Sequence, residues 1–242
     1  MKLFFTRLKR LFALSFAVIA ASCSFCLICA CNSGDYGGEY VDNFKYYDGF
    51  SVNFIDVGSG DAIFINFADG NTMLIDCGAE SDRNYNSVKR YLDGYTGGTL
   101  NYFVLTHPDA DHVGNAAAII ENYTVEKAFV PYIILPQNFN AYYRAFTLLK
   151  KEQIAYSAVG TAVCGDDYYL IMLSPNALSN TDSAYDVFNS YEDPPENVRN
   201  DISPIIYLEY KGVRFVFTGD AGFSQEKAAL NNLNLGMVNK TK

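Results

Sequence analysis

Both histidines of the chain fall in one nine-residue stretch, Thr106-His107-Pro108-Asp109-Ala110-Asp111-His112-Val113-Gly114, and no other stretch constrains the fold as strongly. His107, Asp109, Asp111 and His112 place four metal-ligand side chains within six residues, far above background composition and suited to holding a cation. The flanks say where the stretch sits. Leu100 to Leu105 is an apolar run that predicts a short buried strand, and the Ala/Ile-rich segment from Gly114 to Tyr123 predicts a helix. Pro108 bars regular helix across the first residues and disfavours the α region for His107, so the side chains are expected to fan out from a strand-to-helix loop.

The rest of the chain alternates in the same way. Ser51 to Asp56, Ala62 to Phe67 and Thr72 to Asp76 read as strands of an antiparallel meander, separated by Gly58-Ser59-Gly60-Asp61 and Ala68-Asp69-Gly70-Asn71 turns. A helix is expected over Asn86 to Asp93. In the second half, Lys127 to Val130, Ile154 to Val159 and Tyr168 to Leu173 predict strands. Phe139 to Glu152 predicts a helix with Tyr143, Phe146, Leu149 and Lys150 at helical spacing, a stripe better suited to packing than to holding a ligand. Asn176 to Val198 is polar and too long for an ordinary connection; it reads as a loop or lid, or as a solvated insertion. Ile202 to Glu209 and Val213 to Thr218 form a hairpin about Lys211-Gly212, followed by helix-like Phe223 to Asn234. The pattern predicts one α/β sandwich of two mixed sheets flanked by helices, over residues 49–242.

At the loop the chain resembles the metallo-β-lactamase-fold superfamily, whose signature is His-x-His-x-Asp-His. It is similar in particular to the branch represented by the C-terminal domain of ComEC-type competence proteins, where the second His is Asp. The opening Val52 to Ile63, the strand end Leu74-Ile75-Asp76-Cys77-Gly78 and the late Phe217-Thr218-Gly219-Asp220 carry the resemblance further, over about residues 50 to 225. It implies an αββα sandwich and one or two divalent cations, with His107 and Asp109 on the first, Asp111 and His112 on the second, and Asp220 between them. Asp111 and His112 would then act in catalysis. Asn200-Asp201-Ile202-Ser203 is similar to the Asn…Ser pair of the competence branch, so Asn200 and Ser203 join Asp61 and Asp76 as site-adjacent residues. The family's late histidine has no counterpart, which predicts a C-terminal end lacking the last strand and one ligand, unless Asp61 or Asp201 fills the gap. Carboxylates favour hard ions and imidazoles favour zinc, so the mixed set suits zinc or manganese.

The first thirty residues do not belong to this domain. Lys2, Arg7, Lys9 and Arg10 precede an apolar run from Leu11 to Ala30, the pattern of an export signal. Ile28-Cys29-Ala30-Cys31 resembles a lipobox, which predicts a lipid anchor on Cys31 and a polar tether over residues 31–48. An uncleaved spanning helix is the alternative. Both readings predict an exported protein, membrane-anchored or secreted. Cys77 and Cys164, the two cysteines of the domain over residues 49–242, read as buried free thiols. The chain carries −9; without the leader's four basic residues, 14 basic face 27 acidic, a balance of −13. That disfavours a broad grip on duplex phosphates, but not a nuclease whose cations neutralise the scissile phosphate. The expectation is an exported metal-dependent hydrolase of phosphodiesters, with a small molecule or single-stranded nucleic acid as substrate. A β-lactam or other amide or ester hydrolase, and a lipid-tethered binding domain with impaired turnover, are the alternatives. Oligomeric state is not legible.

Overall fold

Three strands, β1 (Ser51–Phe54), β2 (Ile63–Asn66) and β3 (Thr72–Ile75), pair antiparallel in the register Phe54 with Ile63 and Ile63 with Ile75. The structure, a computed structural model, describes residues 48–176 and 184–234; the leader, Cys31 and all of the tether but Asp48 lie outside the described residues. After β3 the sheet turns parallel. Strands β4 (Thr99–Val104), β5 (Thr124–Val130) and β6 (Ile154–Tyr156) add in order, giving a six-stranded mixed sheet β1-β2-β3-β4-β5-β6. Each parallel step needs a crossover, and helices supply it: α1 (Asp82–Tyr95) before β4, α2 (Ala110–Val113) and α3 (Ala116–Asn122) before β5, and α4 (Asn140–Leu148) before β6.

The helices start and pack for local reasons. α1 begins four residues earlier than its apolar spacing suggests, because the Ser81 hydroxyl accepts from the Asn84 amide and caps the first turn. It buries Val88 and Leu92. On α4 the buried face is Tyr142 and Ala145, continued by Leu149; of the predicted stripe, Leu149 is buried and Phe146 packs against the same core, whereas Tyr143 and Lys150 are exposed. The small Ala145 lies on that buried face, in the same core as Ala116 and Ile119 of α3.

A second sheet, β10-β9-β8-β7, consists of β7 (Ala162–Cys164), β8 (Tyr168–Met172), β9 (Ile206–Tyr210) and β10 (Val213–Phe217). All of its pairs are antiparallel, so the expectation of two mixed sheets is corrected here. Gly165 to Asp167 and the Lys211-Gly212 turn are too short to join anything but antiparallel neighbours. The 176–198 stretch predicted as loop or lid holds two short helices, α5 (Ala184–Asn189) and α6 (Glu196–Asn200), while residues 177–183 lie outside the described residues. Tyr185 and Phe188 of α5 are buried with Ile202 against Tyr132 and Phe139, which gives this polar segment its anchor.

The two sheets face each other across Ile63, Ile65, Met73, Val104 and Phe129 on one side and Leu170, Met172, Ile206, Leu208 and Phe217 on the other. Phe64, Leu74, Leu100 and Phe103 point to the opposite face of the first sheet, under α1, α3 and α4. Helix α7 (Phe223–Asn234) covers the outer face of the second sheet through Ala229, beside Ile171 and Tyr207. The result is the expected αββα sandwich. Cys77 is buried and Cys164 exposed, both free, so only Cys77 matches the expectation of two buried thiols. Residues 235–242 lie outside the described residues.

Candidate metal centre

The ligand-rich stretch leaves the sheet at the carboxyl end of β4, directly beside the end of β3. Asp76 closes β3 with a φ of 54°, a left-handed conformation that Asp tolerates better than most residues. Its backbone amide donates to the Val104 carbonyl, which holds the two strand ends together. Asp109 is the first residue outside α2, and Asp111 and His112 lie within that one-turn helix. The expectation of a wholly irregular loop therefore holds only for His107 to Asp109. The stretch is pinned from below. The Cys77 amide donates to the His112 carbonyl at 2.8 Å, and the Asn115 side chain donates to the Cys77 and Ala79 carbonyls at 2.9 and 2.8 Å.

Asp76 is fully buried, and burial of a carboxylate demands partners. It has three: Thr106 donates to it from its amide at 2.9 Å and from its hydroxyl at 2.6 Å, and His112 Nδ1 lies 2.9 Å from Oδ2. The network assigns the His107 tautomer. Thr106 has one hydroxyl proton and gives it to Asp76, so His107 Nδ1, 3.0 Å from Thr106 Oγ1, is the donor of that pair. His107 Nε2 then carries a lone pair, and it is buried with no hydrogen-bond partner. His112 turns its Nε2 toward Asp220, whose Oδ2 is 3.4 Å away. The two imidazole rings are 4.2 Å apart between centroids.

Asp220 arrives from the other sheet, immediately after Gly219 and three residues past Phe217, where strand β10 ends. Gly219 has a φ of +48°, a left-handed conformation that glycine adopts without a Cβ clash and that turns the chain into Asp220. Two sets of ligand atoms converge to within 4.8 Å of one another: Asp76, His107 and His112, and Asp61, His112 and Asp220. Asp61 and Asp76, read from sequence only as site-adjacent, are therefore part of the cluster.

Asp109 and Asp111 are in neither set. Asp109 forms a two-pronged ion pair with Arg199, and Asp111 accepts weakly from the Ser59 hydroxyl at 3.4 Å. Of the other two, Ser203 Oγ is 3.3 Å from His107 Nδ1, whereas the Asn200 side-chain oxygen is buried without a partner. Sequence reasoning did not single out Thr106 or Arg199. Arg199 left one signal, being the lone basic residue between Lys151 and Lys211.

The electrostatics are those of a site built for positive charge. Burial raises the Asp61 carboxyl pKa, and the neighbouring Asp76, Asp220 and Asp111 raise it further against the opposing pull of His112. Burial lowers His107, as does the charge of His112. Burial also works against the charged form of His112, but its hydrogen bond to Asp76 and the surrounding carboxylates prevail and lift it to about 9. The unpartnered His107 Nε2, with its lone pair free, and the crowding of Asp61, Asp76 and Asp220 fit divalent cations by donor chemistry.

Comparison with known proteins gives the following. The sequence model described as Metallo-beta-lactamase superfamily matches residues 55–237. ComE operon protein 3 of Bacillus subtilis (strain 168) is 23% identical over 199 residues, which is 74% of this chain and 23% of that protein. The chain thus spans less than a quarter of the length of that relative. Among solved structures, a HARLDQ-motif mutant of a metallo-beta-lactamase from Cronobacter sakazakii is 12% identical with a TM-score of 0.43, covering 79% of this chain and 72% of its own. The metallo-beta-lactamase fold protein YhfI from Bacillus subtilis is 9% identical with a TM-score of 0.38, covering 70% and 59%.

Proposed function

Because this chain belongs to the metallo-beta-lactamase superfamily, we propose that it is a metal-dependent hydrolase of phosphodiesters and that its cluster is the catalytic centre. The observation that carries the metal reading is the buried, unpartnered His107 Nε2 beside His112, in a pocket of carboxylates. His107, His112, Asp61 and Asp220 would hold the cations, zinc or manganese. Asp76 accepts from His112 Nδ1 and so aims Nε2 at them. When bound, the cations supply Lewis acidity toward a phosphoryl oxygen and lower the pKa of water toward neutrality.

This chain's own residues do the rest. Thr106 fixes the His107 tautomer by giving its only hydroxyl proton to Asp76. Ser203 closes on the same Nδ1 from the far sheet's approach. The excess of carboxylates over imidazoles in the cluster supports a phosphoryl substrate and harder ions over the histidine-rich chemistry of amide hydrolysis. The acidic balance of −13 outside the leader supports a small phosphodiester or a short single strand over duplex. The basic, apolar leader with Cys31 supports an exported, lipid-anchored protein.

The test is a two-substrate assay. Purified chain is loaded with manganese or zinc, metal content is measured per chain, and bis(p-nitrophenyl) phosphate and a chromogenic cephalosporin are offered. Hydrolysis of the phosphodiester alone is expected. Turnover of the cephalosporin alone would reverse the substrate reading, and a chain that binds no metal would end the metal reading.

A further inference from the structure

Asp109 stands in the middle of the ligand-rich stretch, yet its carboxylate is held by a residue ninety positions away. Arg199 Nε donates to Oδ1 at 2.6 Å and Arg199 Nη2 to Oδ2 at 3.1 Å, so one planar fork occupies both oxygens. The third guanidinium nitrogen, Nη1, donates to the Pro194 carbonyl at 2.9 Å. Both side chains are largely buried, at 25% and 18% exposure, which lifts the pair above the weak surface kind. Asp109 also precedes α2 in the capping position but makes no side-chain cap hydrogen bond. Its side chain serves Arg199 instead of the helix.

An arginine does not lose its proton in a protein, so raising the pH does not release this pair. Movement of Arg199 or a competing cation can. Asp109 lies two residues from His107, whose Nε2 has no partner. Resting on the metal-centre reading above, we infer that Arg199 and a cation compete for Asp109, so that Arg199 sets how tightly the cation beside His107 is held. Arg199 is a positioning residue in this scheme, acting through Asp109. It rides on α6, and the same short segment carries Asn200, with its buried unpartnered oxygen, and leads to Ser203 beside His107. Competition is reciprocal: a cation that takes Asp109 unfastens α6 from the ligand stretch by the same free energy it loses in displacing Arg199.

The test measures manganese binding by equilibrium dialysis to the full chain, to Arg199→Met, Arg199→Lys and Asp109→Asn, and to the Asp109→Asn/Arg199→Met double variant. Circular dichroism accompanies each to certify folding. Arg199→Met is expected to tighten binding about tenfold, within the range of ordinary site-to-site couplings. Arg199→Lys, which keeps the charge but loses the fork, should fall between. Asp109→Asn should weaken binding, and in that background Arg199→Met should change nothing. Unchanged or weaker binding by folded Arg199→Met would overturn the inference. So would the same tightening in the Asp109→Asn background, which would mark a general charge effect. A second readout needs no variant: manganese should speed tryptic cleavage after Arg199 in the wild-type chain, and protection would count against competition. Failure of every variant and the wild type to bind metal would overturn the metal centre itself, whereas metal binding indifferent to residue 199 overturns only this inference.

Discussion

In the metal-free protein His112 carries a proton at neutral pH, since burial is outweighed by the Asp76 hydrogen bond and nearby carboxylates and the pKa stands at about 9. A cation needs the lone pair on Nε2, so binding must expel that proton. Affinity should therefore climb with pH until about 9, with roughly one proton released per chain at pH 7 to 8. Calorimetry in buffers of different ionisation enthalpy would count it, and zero release would refute the protonated state. The stability of the metal-free chain has the opposite slope. A raised folded pKa contributes fully below the unfolded value of about 6.5 and is lost as pH rises toward 9, so chelated protein should melt lower at pH 9 than at pH 6, a difference that His112→Gln should flatten. At this scale the sequence revealed ligand types but not pairings. The convergence of His107, His112 and Asp220 was legible because side chains of cation-binding type stand there in short motifs. Asp109 was assigned to a cation on the same grounds, and its capture by Arg199 was invisible because the partner is ninety residues away.

Among the elements, the turn between β1 and β2 has the tightest tolerance. Gly60 has a φ of +82°, and a Cβ there would sit 1.9 Å from the Asp111 carbonyl oxygen. Gly60→Ala must therefore push the turn off α2, shifting Asp61 and His112 together. A loss on the order of 1–3 kcal/mol in stability is expected, with weaker manganese binding, read by thermal melting and dialysis. Unaltered binding would show that the two loops move independently. The same scale explains what was misread. β7 is three residues long between Gly160 and Gly165 and shows no alternation to detect. α5 and α6 have six and five residues, too short for a helical period, and owe their form to burial of Tyr185 and Phe188. The strand-rich core was legible because β2 and β3 are wholly buried and β4 carries the apolar Leu100, Tyr102, Phe103 and Val104.

Across the whole molecule, the core and the centre should separate under mutation. Phe103 is fully buried beneath the helices, and Phe103→Ala should cost about 3–5 kcal/mol. Asp220 is half-exposed on a turn, and Asp220→Ala should leave melting of the chelated protein nearly unchanged while abolishing tight cation binding. Melting curves with and without manganese would distinguish them; equal destabilisation by both would make Asp220 a folding residue. The placement of the ligands has one more consequence. Asp61, Asp76, His107 and His112 lie on the segments that connect strands of the six-stranded sheet, and Asp220 follows β10 of the other. A cation shared by His112 and Asp220 would be a cross-link between the two halves of the sandwich, where neither Cys77 nor Cys164, the cysteines among the described residues, forms one. With free cation at a hundred times its dissociation constant, such a link would add about 2.7 kcal/mol to the cohesion of the halves. Chelation should then hasten amide exchange in Tyr207 to Asp220 more than in the helices packed on Phe103, so that the seam between the sheets loosens before either sheet does.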